Sequence, residues 1–168
     1  MRIFLLGFMG TGKTYWGQLW SQQYHLDFFD LDAIIEKECG MTIAKMFETR
    51  GEGYFREKER ALLRSFGTKD DFILSTGGGT PCFFDNMDWM NENGITIYLQ
   101  TEPRTLKERL VKEKAHRPLI KDLDDAGIVQ FIENNINKRN KFYMQSTVIL
   151  DTADVTADTF TKIIQEYV

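Results

Sequence analysis

Short apolar runs alternate along this chain with longer stretches in which apolar residues recur every three or four positions. The runs are IFLL (3–6), DFFD (27–30), FILS (72–75), TIYL (96–99) and TVILD (147–151). Their length and their β-branched and aromatic content predict strands. Their near-continuous apolarity predicts strands covered on both faces. The longer stretches predict helices over 13–24, 52–66, 102–111, 126–145 and 156–167. Within 52–66, Phe55, Leu62, Leu63 and Phe66 fall roughly on one face. Thr101 is placed to cap the next helix, with Pro103 in its first turn. Alternating strands and helices imply a parallel sheet with helices on both sides, a three-layer α/β fold. No internal repeat, low-complexity tract or linker interrupts the pattern, and 168 residues fit one domain, 1–168. The stretch KEKAHRPLIKDLDD (112–125) is charged and broken by Pro118, which predicts a mobile surface segment.

Composition narrows the partners. The net charge is −4, whereas a nucleic-acid-binding domain usually carries a basic excess, so no nucleic acid is expected. No apolar run reaches the length of a membrane span. The first apolar run stops at Gly7, too short for the core of a signal peptide. Cys39 and Cys82 lie far apart without metal-ligand spacing, which suggests free thiols in a reducing compartment. His25 and His116 stand apart from any cysteine or second histidine, so neither suggests a metal ligand. The expectation is a soluble, cytoplasmic protein. Trp16, Trp20 and Trp89 read as core residues, and Cys82 as an inert thiol.

The stretch GFMGTGKT (7–14) adds chemistry. It matches G-x-x-x-x-G-K-[ST] in full, and it follows a predicted strand and opens a predicted helix. Glycines there let backbone N–H groups curl around phosphate oxygens. Lys13 brings a point charge to the β- and γ-phosphates. The Thr14 hydroxyl can ligate Mg²⁺, and the helix directs its positive end at the anion. The expected nucleotide contacts run through Gly10, Thr11, Gly12, Lys13, Thr14 and Tyr15.

Proteins with this loop usually hold Mg²⁺ with a second residue, an acid ending another apolar strand. Here the natural strand, FILS, ends in Ser75-Thr76 and then Gly77-Gly78-Gly79, with no acid. Asp30 and Asp32, in FFDLD, are the replacements. Both lie where a parallel sheet presents its ligand-binding edge. Asp30 is expected near Mg²⁺, directly or through water, and Asp32 at a substrate hydroxyl. The competing reading is that one of them merely caps the following helix. A guanine-nucleotide switch is disfavoured, because NKRN (137–140) lacks the final Asp of N-K-x-D and falls inside a predicted helix.

Three arginines suit an anionic substrate, since the guanidinium fork matches carboxylate and phosphate. They are Arg56 in GEGYFREKE (51–59), Arg117 in AHRPL (115–119) and Arg139 in NKRNKFY (137–143). The bland reading of Arg56 is an ion pair with Glu52 or Glu59 at helical spacing. The three glycines at 77–79 offer bare backbone that can approach a ligand closely.

Taken together, GFMGTGKT, DLD (30–32), GEGYFREKE, STGGGTP (75–81), RPL (117–119) and RNKFY (139–143) resemble the shikimate kinases, in family order and across essentially the whole chain. The resemblance implies a P-loop fold like that of the nucleoside monophosphate kinases, with a five-stranded parallel sheet, a substrate-binding helical region at about 31–60 and a lid at about 112–125. It implies phosphorylation of the 3-hydroxyl of shikimate by ATP with Mg²⁺, in chorismate biosynthesis, by a monomer. Carried over by position, Asp32 contacts the ring hydroxyls and acts as base. Arg56 and Arg139 bind the carboxylate, and Gly77, Gly78 and Gly79 meet the substrate through backbone. Arg117 reaches the ATP phosphates from the lid. The adenine contact stays open between Arg109 and Lys112. Two alternatives remain: another small P-loop kinase acting on gluconate or a nucleoside monophosphate, and a nucleotide-binding regulatory module without turnover.

Overall fold

The computed structural model describes residues 1–167, with His116 by its backbone alone. Five strands, β1 (Arg2–Leu6), β2 (Asp27–Asp30), β3 (Phe72–Ser75), β4 (Ile95–Gln100) and β5 (Val148–Asp151), pair in parallel in the order β2-β3-β1-β4-β5. Each crossover contains helix: α1 (Lys13–Tyr24), α2 (Leu31–Cys39), α3 (Ile43–Ser65), α4 (Asn86–Asn93), α5 (Pro103–Glu113) and α6 (Asp125–Tyr143). The last helix, α7 (Thr159–Tyr167), follows β5.

The two-residue period of the central strands divides the core. Phe4, Leu6, Phe72 and Leu74 point to one face, where they meet Leu31, Ile35, Met46, Phe55, Leu63 and Met90 from α2, α3 and α4. Their neighbours Ile3, Leu5, Ile73, Ile97 and Leu99 point to the other face, against Trp20, Phe160 and Ile163 of α1 and α7. Trp20 stacks on Phe160 with ring centroids 5.0 Å apart, while Trp16 and Trp89 are only half-buried. A third cluster, away from the sheet, joins Phe8 to Leu106 and Leu110 of α5, Ile120, and Ile128 and Ile132 of α6. It fixes the otherwise charged segment 112–125 by one buried side chain, Ile120, while the adjacent Leu119 is exposed.

Four differences from the sequence reading have local causes. Coverage on both faces holds for β1, β3 and most of β4; β2 and β5 are edge strands, with Asp27 and Ile149 exposed. Thr101 does not cap α5: the cap position is Glu102, and the Thr101 hydroxyl pairs with that of Thr152 at 2.8 Å. The helix expected from residue 52 is the second half of α3, which breaks at Gly51 (φ 81°, ψ 165°), a conformation glycine adopts readily. Helix α4 carries Asn86, Asp88, Asn91, Glu92 and Asn93 in eight residues, so it offers little apolar period to read.

Candidate active site

The sheet topology brings the phosphate loop, the DLD pair and the three glycines to one edge. Strand β1 leads into the loop, and β2 and β3 end beside it, with Asp30 and Leu5 both in register with Ser75. Strand β3 ends without an acid, and Asp30 stands beside that end, one strand over.

The loop curls through positive φ at Gly10 (82°) and Gly12 (93°). Gly12 is the N-cap of α1 and makes no side-chain cap, so the first N–H groups of the helix face outward as anion donors. The Lys13 ammonium donates to the Gly7 carbonyl at 2.8 Å and the Phe8 carbonyl at 3.1 Å, and Thr11 Oγ1 donates to Phe8 at 2.9 Å. These bonds hold the loop in its bowl shape. Burial lowers the Lys13 ammonium to about 8; Asp32 and Asp30 oppose that fall, and Arg117 and Arg139 add to it. The Thr14 and Tyr15 side chains are exposed at the start of α1.

The two aspartates sit in different environments. Asp30 is the N-cap of α2, its carboxylate accepting from the Ala33 N–H at 3.2 Å. The capping alternative is thus realised for Asp30 through one oxygen. Asp32 points into the site. Its Oδ1 is buried without a hydrogen-bond partner among the described residues. Burial, then Asp30 and Glu59, push its carboxyl up to about 6, against the pull of Lys13 and Arg56. A half-desolvated carboxylate with a free oxygen is the arrangement expected of a general base.

Each of the three glycines lies closest to a different candidate side chain. A Cβ built on Gly77 would lie 2.8 Å from Asp32 Oδ1, one on Gly78 would lie 2.9 Å from Arg139 Nη1, and one on Gly79 would lie 2.6 Å from Arg56 Nη2. None of the three has a positive φ, so close approach rather than backbone conformation demands glycine here. The run is held in place from several sides. Thr76 donates through its N–H and its hydroxyl to the Leu5 carbonyl, each at 3.0 Å, and the Tyr143 hydroxyl donates to the Gly78 carbonyl.

Arg56 also makes the ion pairs open to it by helical spacing, with Glu52 at 3.2 Å and Glu59 at 2.8 Å. Glu59 is fully buried and accepts from Thr80 Oγ1 at 2.6 Å, which ties α3 to the end of the glycine run. The sequence offers Glu59 only as an ion-pair partner of Arg56 and Tyr143 only as the end of RNKFY, without their contacts to the glycine run. Glu59 reads as an ordinary surface partner at i+3, and only its burial distinguishes it. Arg117 is held by Glu113, yet it lies close enough to Lys13 to lower that ammonium. Arg109 donates to the Gly10 carbonyl at 2.9 Å, whereas Lys112 lies exposed on the outer side of α5. Cys82 is half-buried, and burial raises its thiol against the influence of Arg139 and Arg56, which fits an inert group. Among the described residues no three His, Cys, Asp or Glu side chains cluster as a cation site; the side chain of His116 lies outside them.

A family model described as shikimate kinase matches residues 9–168. The chain belongs to the shikimate kinase family. The shikimate kinase of Bacteroides fragilis is 42% identical over 149 residues, spanning 89% of this chain and 83% of that protein. The shikimate kinase of Phocaeicola vulgatus is 44% identical over 145 residues, spanning 86% and 83%. The crystal structure of shikimate kinase from Bacteroides thetaiotaomicron matches with a TM-score of 0.91 at 36% identity, over 99% of this chain and 97% of that one. The shikimate kinase of Acinetobacter baumannii, solved in complex with shikimate, matches with a TM-score of 0.85 at 30% identity, over 98% and 91%. A deoxyadenosine kinase from M. mycoides shares the fold alone, with a TM-score of 0.61 at 16% identity. Shikimate kinases are ATP-dependent small-molecule kinases, and the five-stranded parallel sheet, phosphate loop and three-layer packing described above are those of that P-loop class.

Proposed function

We propose that this chain transfers the γ-phosphoryl group of ATP to the 3-hydroxyl of shikimate, giving shikimate 3-phosphate and ADP for chorismate biosynthesis. The observation that carries the reading is the glycine seat: Asp32, Arg139 and Arg56 each abut one of Gly77, Gly78 and Gly79, beside a phosphate loop. One basic group for a hydroxyl and two guanidinium forks for a carboxylate suit a hydroxylated acid. A nucleoside monophosphate or a neutral sugar would not need them in this arrangement.

The roles follow from the chemistry of each group. Arg56 and Arg139 bind the carboxylate and orient the ring. Asp32 accepts the proton of the 3-hydroxyl as the oxygen bonds to the γ-phosphorus and the bond from that phosphorus to the β-bridging oxygen breaks. Lys13, the N–H groups from Gly10 to Tyr15, and Arg117 stabilise the charge that shifts onto ADP. The residues at hand fit Mg²⁺: Thr14 offers a hydroxyl, and Asp30, whose cap bond to Ala33 uses one oxygen, offers the other, both hard donors. With no closed protein cage among the described residues, such an ion would take its other ligands from phosphates and water, the usual habit of Mg²⁺. When bound, it neutralises phosphate charge. Helix α2 and the first turns after the Gly51 break form the acid-binding region, and residues 112–125 form the lid. Arg109, bonded to the Gly10 carbonyl, is the better placed of the two candidates for the adenine.

The proposed site residues can be supplied by a single chain, which suits action as a monomer. The free cysteines Cys39 and Cys82 suit a reducing cytoplasm. Among the described residues, no helix is long and apolar enough to cross a membrane. The test is a coupled assay of ADP release with shikimate, gluconate and several nucleoside monophosphates as acceptors. Turnover with shikimate alone supports the reading; faster turnover with gluconate or a nucleotide overturns it.

A further inference from the structure

Three consecutive residues after the glycine seat engage three successive turns of α3. Phe83 lies against Arg56, its ring centroid 3.9 Å from the guanidinium carbon. Phe84 lies against Arg60 at 4.9 Å. Asp85 pairs with Arg64 at 2.6 Å and with Arg60 at 3.6 Å. Arg56, Arg60 and Arg64 are spaced by four residues and so share one helix face. The chain reaches this arrangement through a left-handed residue, Phe84 with φ 52°. A bulky side chain seldom adopts that conformation, and such strain persists only where neighbours enforce it. Here the turn is closed by the Asn86 N–H donating to the Phe83 carbonyl at 3.2 Å and by the Asn86 side-chain amide donating to the Thr80 carbonyl at 2.9 Å, with Arg60 and Arg64 packed alongside.

The consequence for Arg56 is specific. Its side chain is 11% exposed, its Nε and Nη1 are committed to Glu52 and Glu59, and the Phe55 ring centroid is 4.9 Å away. The Phe83 contact, at 3.9 Å, is the shorter of the two aromatic contacts. A guanidinium stacked at this distance loses rotational freedom while keeping its in-plane N–H groups free to donate. The group left toward the glycine seat is Nη2, 2.6 Å from where a Gly79 Cβ would stand.

We infer that Phe83 is a positioning residue for the acid-binding arginine: its ring holds the Arg56 guanidinium in the plane that presents Nη2 to the substrate carboxylate, and so sets preference for an acid over an uncharged analogue. This rests on the reading of Arg56 as a carboxylate ligand given above.

The experiment compares the parent enzyme with Phe83→Leu and Phe83→Tyr. Circular dichroism and thermal melting first establish that each variant is folded. In Phe83→Leu the KM for shikimate rises more than about twofold and up to about thirtyfold, the span that a cation–aromatic contact allows. The kcat and the KM for ATP stay within about twofold, and the preference for shikimate over its methyl ester falls. Phe83→Tyr restores parent values. An unchanged KM for shikimate in Phe83→Leu, a loss confined to kcat, or a tyrosine variant as poor as the leucine one overturns the inference. Modification of Arg56 by phenylglyoxal, followed by peptide mass spectrometry, separates the two readings because it needs no substrate. Arg56 reacts faster in Phe83→Leu than in the parent if the ring shields it, whatever acid the enzyme uses. Equal rates remove Phe83 from its role, and failure of the parent to phosphorylate shikimate instead removes the assigned substrate.

Discussion

Gly79 and Arg56 are packed so closely that residue 79 has no room for a side chain: a Cβ there would stand 2.6 Å from Nη2 and 3.0 Å from Nη1. Gly79 has φ −92°, which any residue can adopt, so the backbone itself would tolerate alanine. Gly79→Ala is therefore expected to fold and to push the guanidinium out of place. The KM for shikimate should rise at least tenfold, or about 1.4 kcal/mol of lost binding, with the KM for ATP unchanged. Steady-state kinetics with each substrate varied checks this. An equal rise in both constants would mean that the seat serves the nucleotide instead.

Gly53 provides the contrast on the same helix as Arg56. It is exposed, and an added Cβ meets nothing within 4 Å. Gly53→Ala should stabilise the protein by roughly 0.5–1 kcal/mol through better helix propensity, read as a higher Tm or denaturation midpoint.

Asp32→Asn separates catalysis from stability. With Asp32 as the proposed base, its removal should lower kcat by about a hundredfold or more with little change in ATP affinity. The same change removes a carboxylate whose folded value, about 6, lies above its ordinary 3.8. The folded state holds the Asp32 proton more tightly than the unfolded chain does, so ionisation of Asp32 lowers stability as pH rises from about 4 to 6 and remains a fixed cost above that. The variant should therefore be more stable than the parent at pH 7, by on the order of 1–3 kcal/mol, with the difference vanishing toward pH 4. Denaturant titrations at pH 7 and pH 4 test the sign. Lower stability of the variant at pH 7 would show that the carboxylate is held by favourable contacts.

Why some of this site was legible in the sequence and some was not follows from the range of the interactions. GFMGTGKT carries its own turn chemistry, and the central strands declare themselves by apolarity because both faces are covered. The place of Asp30 follows from parallel topology alone, since β2 and β3 end side by side. Glu59 and Phe83 have no such local mark. Glu59 sits three residues from Arg56 like many exposed partners, and its burial depends on Thr80, 21 residues away. Phe83 meets Arg56 across 27 positions, and the left-handed turn beside it falls at Phe84, a residue type that gives no hint of one. Helix α4 was hidden for the opposite reason: its polar sequence lacks the period that packing usually imprints.

The pH dependence of kcat/KM should be bell-shaped. Asp32 must be ionised to accept a proton, so activity falls as pH drops through about 6. Lys13 must be charged to hold phosphate, so activity falls again as pH rises through about 8. Initial rates from pH 5 to 9.5 with both ATP and shikimate well below their KM report both limbs. A flat profile between pH 5 and 7 would remove Asp32 as the base.

Glu59 joins stability to that acidic limb. It is fully buried, and its charge is met by Arg56 at 2.8 Å and by the Thr80 hydroxyl at 2.6 Å. Glu59→Ala should cost about 3–5 kcal/mol, because the largely buried Arg56 guanidinium loses its closest counter-charge and a cavity opens. Glu59→Gln keeps the shape and one hydrogen-bond acceptor, so it should fold better than the alanine variant. Its kinetic signature is distinct. Glu59 is one of the charges that hold the Asp32 carboxyl up, and it also occupies Arg56, which pulls that carboxyl down. Neutralising Glu59 acts in one direction through both routes, so the acidic limb of kcat/KM should move below pH 6 even as the KM for shikimate rises. A limb that stays in place while Tm falls would confine Glu59 to holding α3 against the glycine run; a limb that moves with little change in Tm would make it chiefly an electrostatic neighbour of the base.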